Sequence, residues 1–492
     1  MACTHGLGGA LRLAVGIAVL AACNLDTFGL VDGTTASTNS SATEAATGAV
    51  AETATATATE SSATTPSTMS STDSPTTGTE THETGDDEPH PELYPTDRTH
   101  SPISAYVADR LRAIATAPGG VDKQAAVFAK IGGSTTASVN FMQCFASDAA
   151  IKELPAELIP TLTYFRSFDL GMGVTSFDRV SVAAGASFTS TSLVTGTPTP
   201  IDDEVAATLP RFAHILVGTH DLEEDQPAEL YTFADNLLGA VDKLIVIGVV
   251  PILSTIPQRS DLPLKDPYVP RYNAVVRAVA QGRQIPLVDL HRELAMLPNL
   301  GLIDTGDLSV FDSAMVDRPC HFSEGATLFG YNVHNLVSLR ALDRARQVVV
   351  EGVPDLDPPG PRLQGAGTLD APYEIPSLPF VDLRSTMDSP SDAIDAYSGA
   401  CDAAKDESGP ERIYRLTLDV ATNLRIMAFD RGLVNVDVHV LSGVTPGDCL
   451  ARNDREVSGP LPPGTYYIAV DSFAGDVPDG AAGEYSFVVL AE

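Results

Sequence analysis

Ser134 is the residue around which any chemistry of this chain has to be built. It lies in the stretch AVFAKIGGSTTAS, residues 126–138, where a short apolar run ends in Gly132 and Gly133. A serine held where a parallel strand gives way to a helix presents its hydroxyl at the carboxyl edge of the sheet, where open α/β folds collect their chemistry. Glycine–serine pairs alone mark ordinary turns, and serine is also a common helix cap. Other segments add weight. The apolar run AHILVG enters Gly218, Thr219, His220 and Asp221; VSVAAGASFTSTS carries Gly185; CHFSEGATLFGYN carries His321. A hydroxyl, an imidazole that titrates near neutrality and backbone N–H groups are the parts needed to attack an acyl carbonyl and hold the resulting oxyanion.

These parts need elements to position them. Short apolar runs at 126–131, 178–183, 213–218, 243–250 and 285–290 have the composition of strands. Around them ISAYVADRLRAIA, AELYTFADNLLGAVD, YNAVVRAVAQ and FGYNVHNLVSLRALDRARQVV have helical spacing of apolar residues. Such alternation predicts a mainly parallel five-stranded sheet covered on both faces, because parallel strands need crossovers of about a dozen residues. Ser134, Gly185, the 218–221 segment and His321 then converge on one rim. The acidic run Glu223, Glu224, Asp225 beside His220 reads as a solvated helix start, where acids suit the helix dipole. No HExxH, paired-cysteine or calcium-loop pattern and no phosphate-binding glycine loop accompanies these residues, so no cofactor is expected in this domain.

The blocks resemble the SGNH, or GDSL-like, hydrolases across about residues 120–350. The resemblance implies a flavodoxin-like three-layer sandwich and cleavage of acyl esters. It places Ser134 as nucleophile, His321 as base, and Ser134, Gly185 and His220 at the oxyanion. Three positions depart from the family pattern: Gly133 stands at its aspartate, His220 at its asparagine, and Arg318 three residues before His321 where the acid belongs. Asp317, displaced by one residue, is the remaining candidate to orient His321.

Beyond a Pro/Gly-rich linker at 352–376, the runs IYRLTLDV, LRIMAF, VDVHVL, TYYIAVDS and YSFVVL alternate with the period of half-buried strands and predict an all-β sandwich over 377–492. These runs resemble the bacterial pre-peptidase C-terminal domain. That resemblance implies surface or substrate association and makes calcium a candidate cofactor here, with Asp437, Asn453, Asp454 and Asp471 as ligands; turns and strand ends are also where such residues normally occur. Strand alternation requires one of Tyr466 and Tyr467 to face the core. Cys144, Cys320, Cys401 and Cys449 allow three pairings, of which Cys144–Cys320 and Cys401–Cys449 keep each bridge within one domain.

The amino terminus combines Arg12, the run LAVGIAVLAA and Cys23. Ten apolar residues are too few to span a bilayer, so the pattern predicts an export signal over 1–22. Leu20, Ala21, Ala22 and Cys23 resemble the bacterial lipobox, which implies a lipid on Cys23 and attachment to the outer membrane or cell surface. Residues 23–96 are mostly Ser, Thr, Ala and Glu, cannot bury enough apolar area to order themselves, and read as a tether to the folded domain at 97–351. The chain has 30 Lys plus Arg against 64 Asp plus Glu, a net charge of −34, which disfavours nucleic acid as a partner. The leading expectation is a surface serine esterase acting on an acylated glycan or lipid. The rival is an SGNH-fold surface module that binds such material without cleaving it.

Overall fold

Strand β1, Gln124–Gly132, is buried at every position from Val127 onward, as expected of a central strand covered on both faces. The structure, a computed structural model, describes residues 90–401, 404–473 and 481–492. The signal, Cys23 and the tether up to residue 89 therefore lie outside the described residues. β1 pairs in parallel with β2, Pro210–Leu216, which pairs with β3, Val250–Ser254, which pairs with β4, Leu287–Val288.

The helices in chain order are α1 (Ala105–Thr116), α2 (Ser134–Ala137), α3 (Ile159–Arg166), α4 (Ser190–Val194), α5 (Pro200–Thr208), α6 (Ala228–Val246), α7 (Val269–Arg283), α8 (Leu290–Ala295) and α9 (Gly330–Val349). α1, α3 and α8 pack against α9, whereas α4 and α7 pack against α6. α6 shows why: Leu230, Phe233, Ala234, Leu237, Leu238, Val241 and Leu244 make one buried stripe at helical spacing.

Two of the expected strands differ. The first half of the run 243–250 is the end of α6, whose buried stripe stops at Leu244, and the strand begins only at Val250. The run 178–183 is turns, because Glu204 takes its polar groups away from a ladder: Arg179 grips that carboxylate at 3.0 and 3.1 Å and the Val182 N–H donates to it at 3.0 Å. What remains of the fifth strand is a one-residue parallel bridge from Gly132 to Ala184. β1 thus lies between Ala184 on one side and β2 on the other. The chain leaves β1 in one direction and returns in the other, a topological switch point of the kind that opens a crevice at strand ends.

The carboxy-terminal part is a sandwich. One sheet has the order β10-β9-β12-β7-β5 and the other β11-β8-β13-β6, from β5 (Tyr373–Glu374), β6 (Phe380–Ser385), β7 (Glu411–Leu418), β8 (Thr422–Asp430), β9 (Val436–Leu441), β10 (Cys449–Asn453), β11 (Glu456–Leu461), β12 (Gly464–Ser472) and β13 (Glu484–Ala491). Pairing is antiparallel apart from β5 with β7. Tyr466 enters the core and its hydroxyl donates to the Pro462 carbonyl at 2.9 Å. The α/β class and the β-sandwich expected from the sequence are both present.

Alternation weakens on β6, β8 and β13 because both faces are covered. Val381, Leu383, Val488 and Leu490 join the core of the α/β part through α7, and Met427 and Phe429 of β8 join it on the side of α6. Gly282 permits the close approach, since a Cβ there would sit 2.3 Å from Leu383. Arg283 ties the junction by forking to Asp242 at 2.6 and 3.0 Å and to Glu484 at 2.7 and 2.8 Å. Two segments read as connectors also contribute. Tyr94, near the end of the expected tether, is buried with its hydroxyl on the Ile285 carbonyl at 3.1 Å, and Leu363 of the expected linker lies in the sandwich core. Both pairings of the cysteines by domain are present, as Cys144–Cys320 and Cys401–Cys449.

Candidate active site

Gly132 sets the position of Ser134. Its φ of +150° lies in glycine's region, and a Cβ there would come 1.9 Å from the Leu216 carbonyl oxygen of β2. The same oxygen accepts from the Gly133 N–H at 3.1 Å and from the Thr136 hydroxyl at 3.3 Å, so the loop leaving β1 is clamped to the end of β2. α2 starts at Ser134. Gly132→Ala is therefore expected to cost about 1–3 kcal/mol from backbone strain alone, with the clash in addition. A chemical unfolding midpoint within error of wild type would contradict this role of Gly132.

The hydroxyl of Ser134 meets His220. Nε2 of the ring lies 3.3 Å from Ser134 Oγ, and Nδ1 lies 3.2 Å from Glu223 Oε1. The second contact follows from local structure. Asp221–Glu223 is a 3₁₀ turn entered from His220, and in a 3₁₀ turn side chains at i and i+3 eclipse. Glu223 is held by Arg259, whose Nη1 lies 3.0 Å from the same Oε1 and donates to the Thr219 carbonyl at 2.6 Å. Arg259 in turn is gripped by both carboxylate oxygens of Asp261 at 2.9 Å. Burial alone would lower the Arg259 pKa, but its bonds to Asp261 and Glu223 raise it, so it stays charged. The side chain of Glu223 is 43 % exposed and that of His220 is 23 % exposed. Water screens this contact, and its value lies in orienting the ring rather than in stabilising the fold.

Gly133 lies beside the His220 ring. A Cβ on Gly133 would lie 3.2 Å from the Phe188 carbonyl oxygen, 3.4 Å from Thr219 Oγ1 and 3.6 Å from His220 Cδ2. The tight neighbour is the Phe188 carbonyl, and the approach to the His220 ring is an ordinary van der Waals contact. Asp221 points elsewhere: its Oδ1 accepts the Ser190 N–H at the start of α4 at 2.8 Å, and burial raises its pKa.

The residues assigned from the resemblance are placed as follows. His321 is in backbone pairing with Lys152, next to the Cys144–Cys320 bridge; its ring lies against Phe311, and its Nε2 is 3.7 Å from Glu153. The partner of Ser134 expected at 321 is thus found at 220. Asp317 is exposed and pairs through its backbone with Asp312; among the described residues no hydrogen bond or ion pair joins it to His321. The Gly185 N–H, expected at the oxyanion, donates to the Gly132 carbonyl at 3.1 Å, because this segment forms the bridge beside β1. The N–H of Ser134 opens α2, where first-turn donors have no partner inside the helix. Glu223 was missed in the sequence because it was read with Glu224 and Asp225 as a charged helix start. The i, i+3 spacing of His220 and Glu223 was the available signal.

In the sandwich, Asp437 and Asp471 face each other across β9 and β12. Asn453, the last residue of β10, and Asp454 after it are exposed; Asn453 Oδ1 accepts the Arg455 N–H at 3.4 Å and Asp454 lies 3.6 Å from the Arg455 side chain. The four residues considered for calcium do not form one group. A cavity of about 730 Å³ opens between α7, β6 and the carboxy terminus, lined in part by Arg271, Arg277, His291 and Leu490. None of its lining residues belongs to the Ser134 group.

No protein-family model matches the chain. No curated protein matches it either. Among solved structures, a GDSL-like lipase from Bacteroides thetaiotaomicron VPI-5482 is similar at 14 % identity and a TM-score of 0.28, over 49 % of this chain and 99 % of that one. A lipase/acylhydrolase from Enterococcus faecalis is similar at 17 % identity and 0.28, over 44 % and 94 %. An acetylxylan esterase from Geobacillus stearothermophilus is similar at 15 % and 0.28, over 44 % and 92 %.

Proposed function

We propose that the chain is a serine ester hydrolase in which Ser134 is the nucleophile, His220 the general base and Glu223 the residue that orients the ring. The observation that carries this reading is the run of contacts from Ser134 Oγ to His220 Nε2 at 3.3 Å and from Nδ1 to Glu223 at 3.2 Å. Nucleophile, base and orienting carboxylate in that order make up the arrangement that recurs on unrelated folds.

In the proposed reaction Nδ1 carries its proton toward Glu223, so Nε2 is the free acceptor. As the Ser134 oxygen bonds to the acyl carbon, its proton passes to Nε2 and the carbonyl electron pair moves onto oxygen. The first-turn N–H of Ser134 is the nearest candidate donor to that oxyanion. Collapse expels the alcohol, which takes the proton from Nε2. Water then repeats the sequence and releases the acid. The substrate class is an acyl ester, on a glycan or on a lipid.

One observation favours the rival binding module: the Gly185 N–H is occupied by Gly132, which leaves one fewer oxyanion donor. Loss of such a donor costs about 3 kcal/mol in a serine hydrolase and slows turnover without ending it. Labelling separates the two readings. A fluorophosphonate should add one adduct per chain, on the peptide containing Ser134. A chain that retains acylated glycan or lipid but takes no label would be a binding module. The proposal includes export with a lipid on Cys23. Cys23→Ala is expected to move the protein from the membrane fraction to the soluble one, and an unchanged distribution would remove the anchor from the reading.

A further inference from the structure

On β9, Val436, Val438 and Val440 enter the sandwich core, so Asp437 and His439 lie on the opposite face of the five-stranded sheet. That face would ordinarily be solvated, yet it is covered. Ile394 and Tyr397, from the chain before β7, pack over it, and the Tyr397 ring stacks on His439 with centroids 3.6 Å apart. The side chains of Glu407 and His439 are 1 % exposed and that of Asp437 is 2 % exposed. Register adds to the crowding. Asp437 lies opposite Asp471, which lies opposite Glu411, so three carboxylates stand in a row across β9, β12 and β7.

Like charges directly opposite one another destabilise a sheet, and buried polar atoms without partners are costly. Both conditions occur here. Among the described residues, Glu407 Oε2, Asp437 Oδ1, Asp471 Oδ1 and both ring nitrogens of His439 have no hydrogen-bond partner. Arg452, opposite His439 on β10, supplies one positive charge: its Nη2 lies 3.3 Å from Glu407 Oε1 and also contacts Asp437 Oδ2. One ligand atom from each of Glu407, Asp437 and His439 lies within 4.8 Å of the others.

We propose that Glu407, Asp437 and His439 bind a divalent first-row transition ion of the Zn²⁺ type, and that Arg452 competes with the ion for the two carboxylates. An imidazole with two carboxylates suits such an ion, whereas calcium takes six to eight oxygen ligands and no nitrogen. Cys401 and Cys449 also border His439, but their sulfurs are bonded to each other and are not thiolate ligands. The Arg452 side chain, 18 % exposed, marks the way in from solvent.

The test uses full-length protein stripped of metal and kept oxidised, with Zn²⁺ as the probe in equilibrium dialysis and in thermal melts. Wild type should bind one more Zn²⁺ per chain than His439→Ala and should melt at a higher temperature when Zn²⁺ is present. Arg452→Gln, which removes the competing cation, should bind Zn²⁺ at least about tenfold more tightly. A purely structural ion pair predicts lost stability in that variant and no gain in metal affinity. Equal uptake by wild type and a folded His439→Ala would overturn the proposal, as would uptake of Ca²⁺ in place of Zn²⁺. Should His439→Ala not fold, the isosteric Glu407→Gln is read instead, and full uptake by it would overturn the proposal equally.

Discussion

Ser134→Ala and His220→Ala are each expected to lower kcat toward p-nitrophenyl acetate by roughly 10⁴ or more, and the double variant should be little worse than either. The near-equality follows because the two groups act as a unit: without the imidazole the hydroxyl keeps its proton, and without the hydroxyl the imidazole has no proton to accept. His321→Ala supplies the contrast. Its ring meets Phe311 and Glu153, and among the described residues it has no hydrogen bond to Ser134, so its removal should leave kcat within about tenfold of wild type. Glu223→Gln should fall between the extremes, since Arg259 would still hold the side chain near the ring. The assignment is lost if His321→Ala is inactive while His220→Ala turns over normally. That outcome would return the base to the position implied by the sequence resemblance.

The second large effect concerns stability. Cys144 and Cys320 are 176 residues apart, and linking them removes loop entropy from the unfolded chain. The chain-entropy relation gives about 5 kcal/mol for a loop of this length, and native bridges usually deliver about 2–5 kcal/mol. Cys144→Ser with Cys320→Ser should therefore lower the urea midpoint by a corresponding amount. The effect should also be local. Beside the bridge, Lys152 N–H donates to the Cys320 carbonyl and Phe322 N–H to the Lys152 carbonyl, both at 3.0 Å. Amide exchange around 150–153 and 320–322 should rise more than in β2 or β3. A loss of unfolding free energy smaller than about 1 kcal/mol in the double variant would mean that these contacts hold the loop without the covalent link.

The reach of the sequence is uneven, and particular residues show why. Residues 126–134 were legible because an apolar run broken by two glycines has few three-dimensional solutions, and the structure places β1 and the start of α2 there. The run 178–183 was misleading because its composition suits a strand, while a carboxylate far along the chain, Glu204, takes its N–H and guanidinium groups. The run 243–250 was ambiguous because a short apolar segment reads equally as a strand or as the last turn of a buried helix. Periodicity reports which face is apolar. It does not report what lies opposite.

The same distinction applies to the candidate site. Local composition was enough to determine the α/β class, the β-sandwich that follows and Ser134 at the end of a strand, because strand and helix periods and glycine breaks are properties of neighbouring residues. Whether Ser134 meets His220 or His321 was a matter for the tertiary structure. Both histidines follow strand-like runs on the expected rim, and the clamp of Gly132 and Gly133 on Leu216 together with the 3₁₀ turn carrying Glu223 brings one of them within 3.3 Å of the hydroxyl. A hydrogen bond is decided over a few tenths of an ångström, a scale set by packing between segments distant in the chain and not by the order of residues within any one of them.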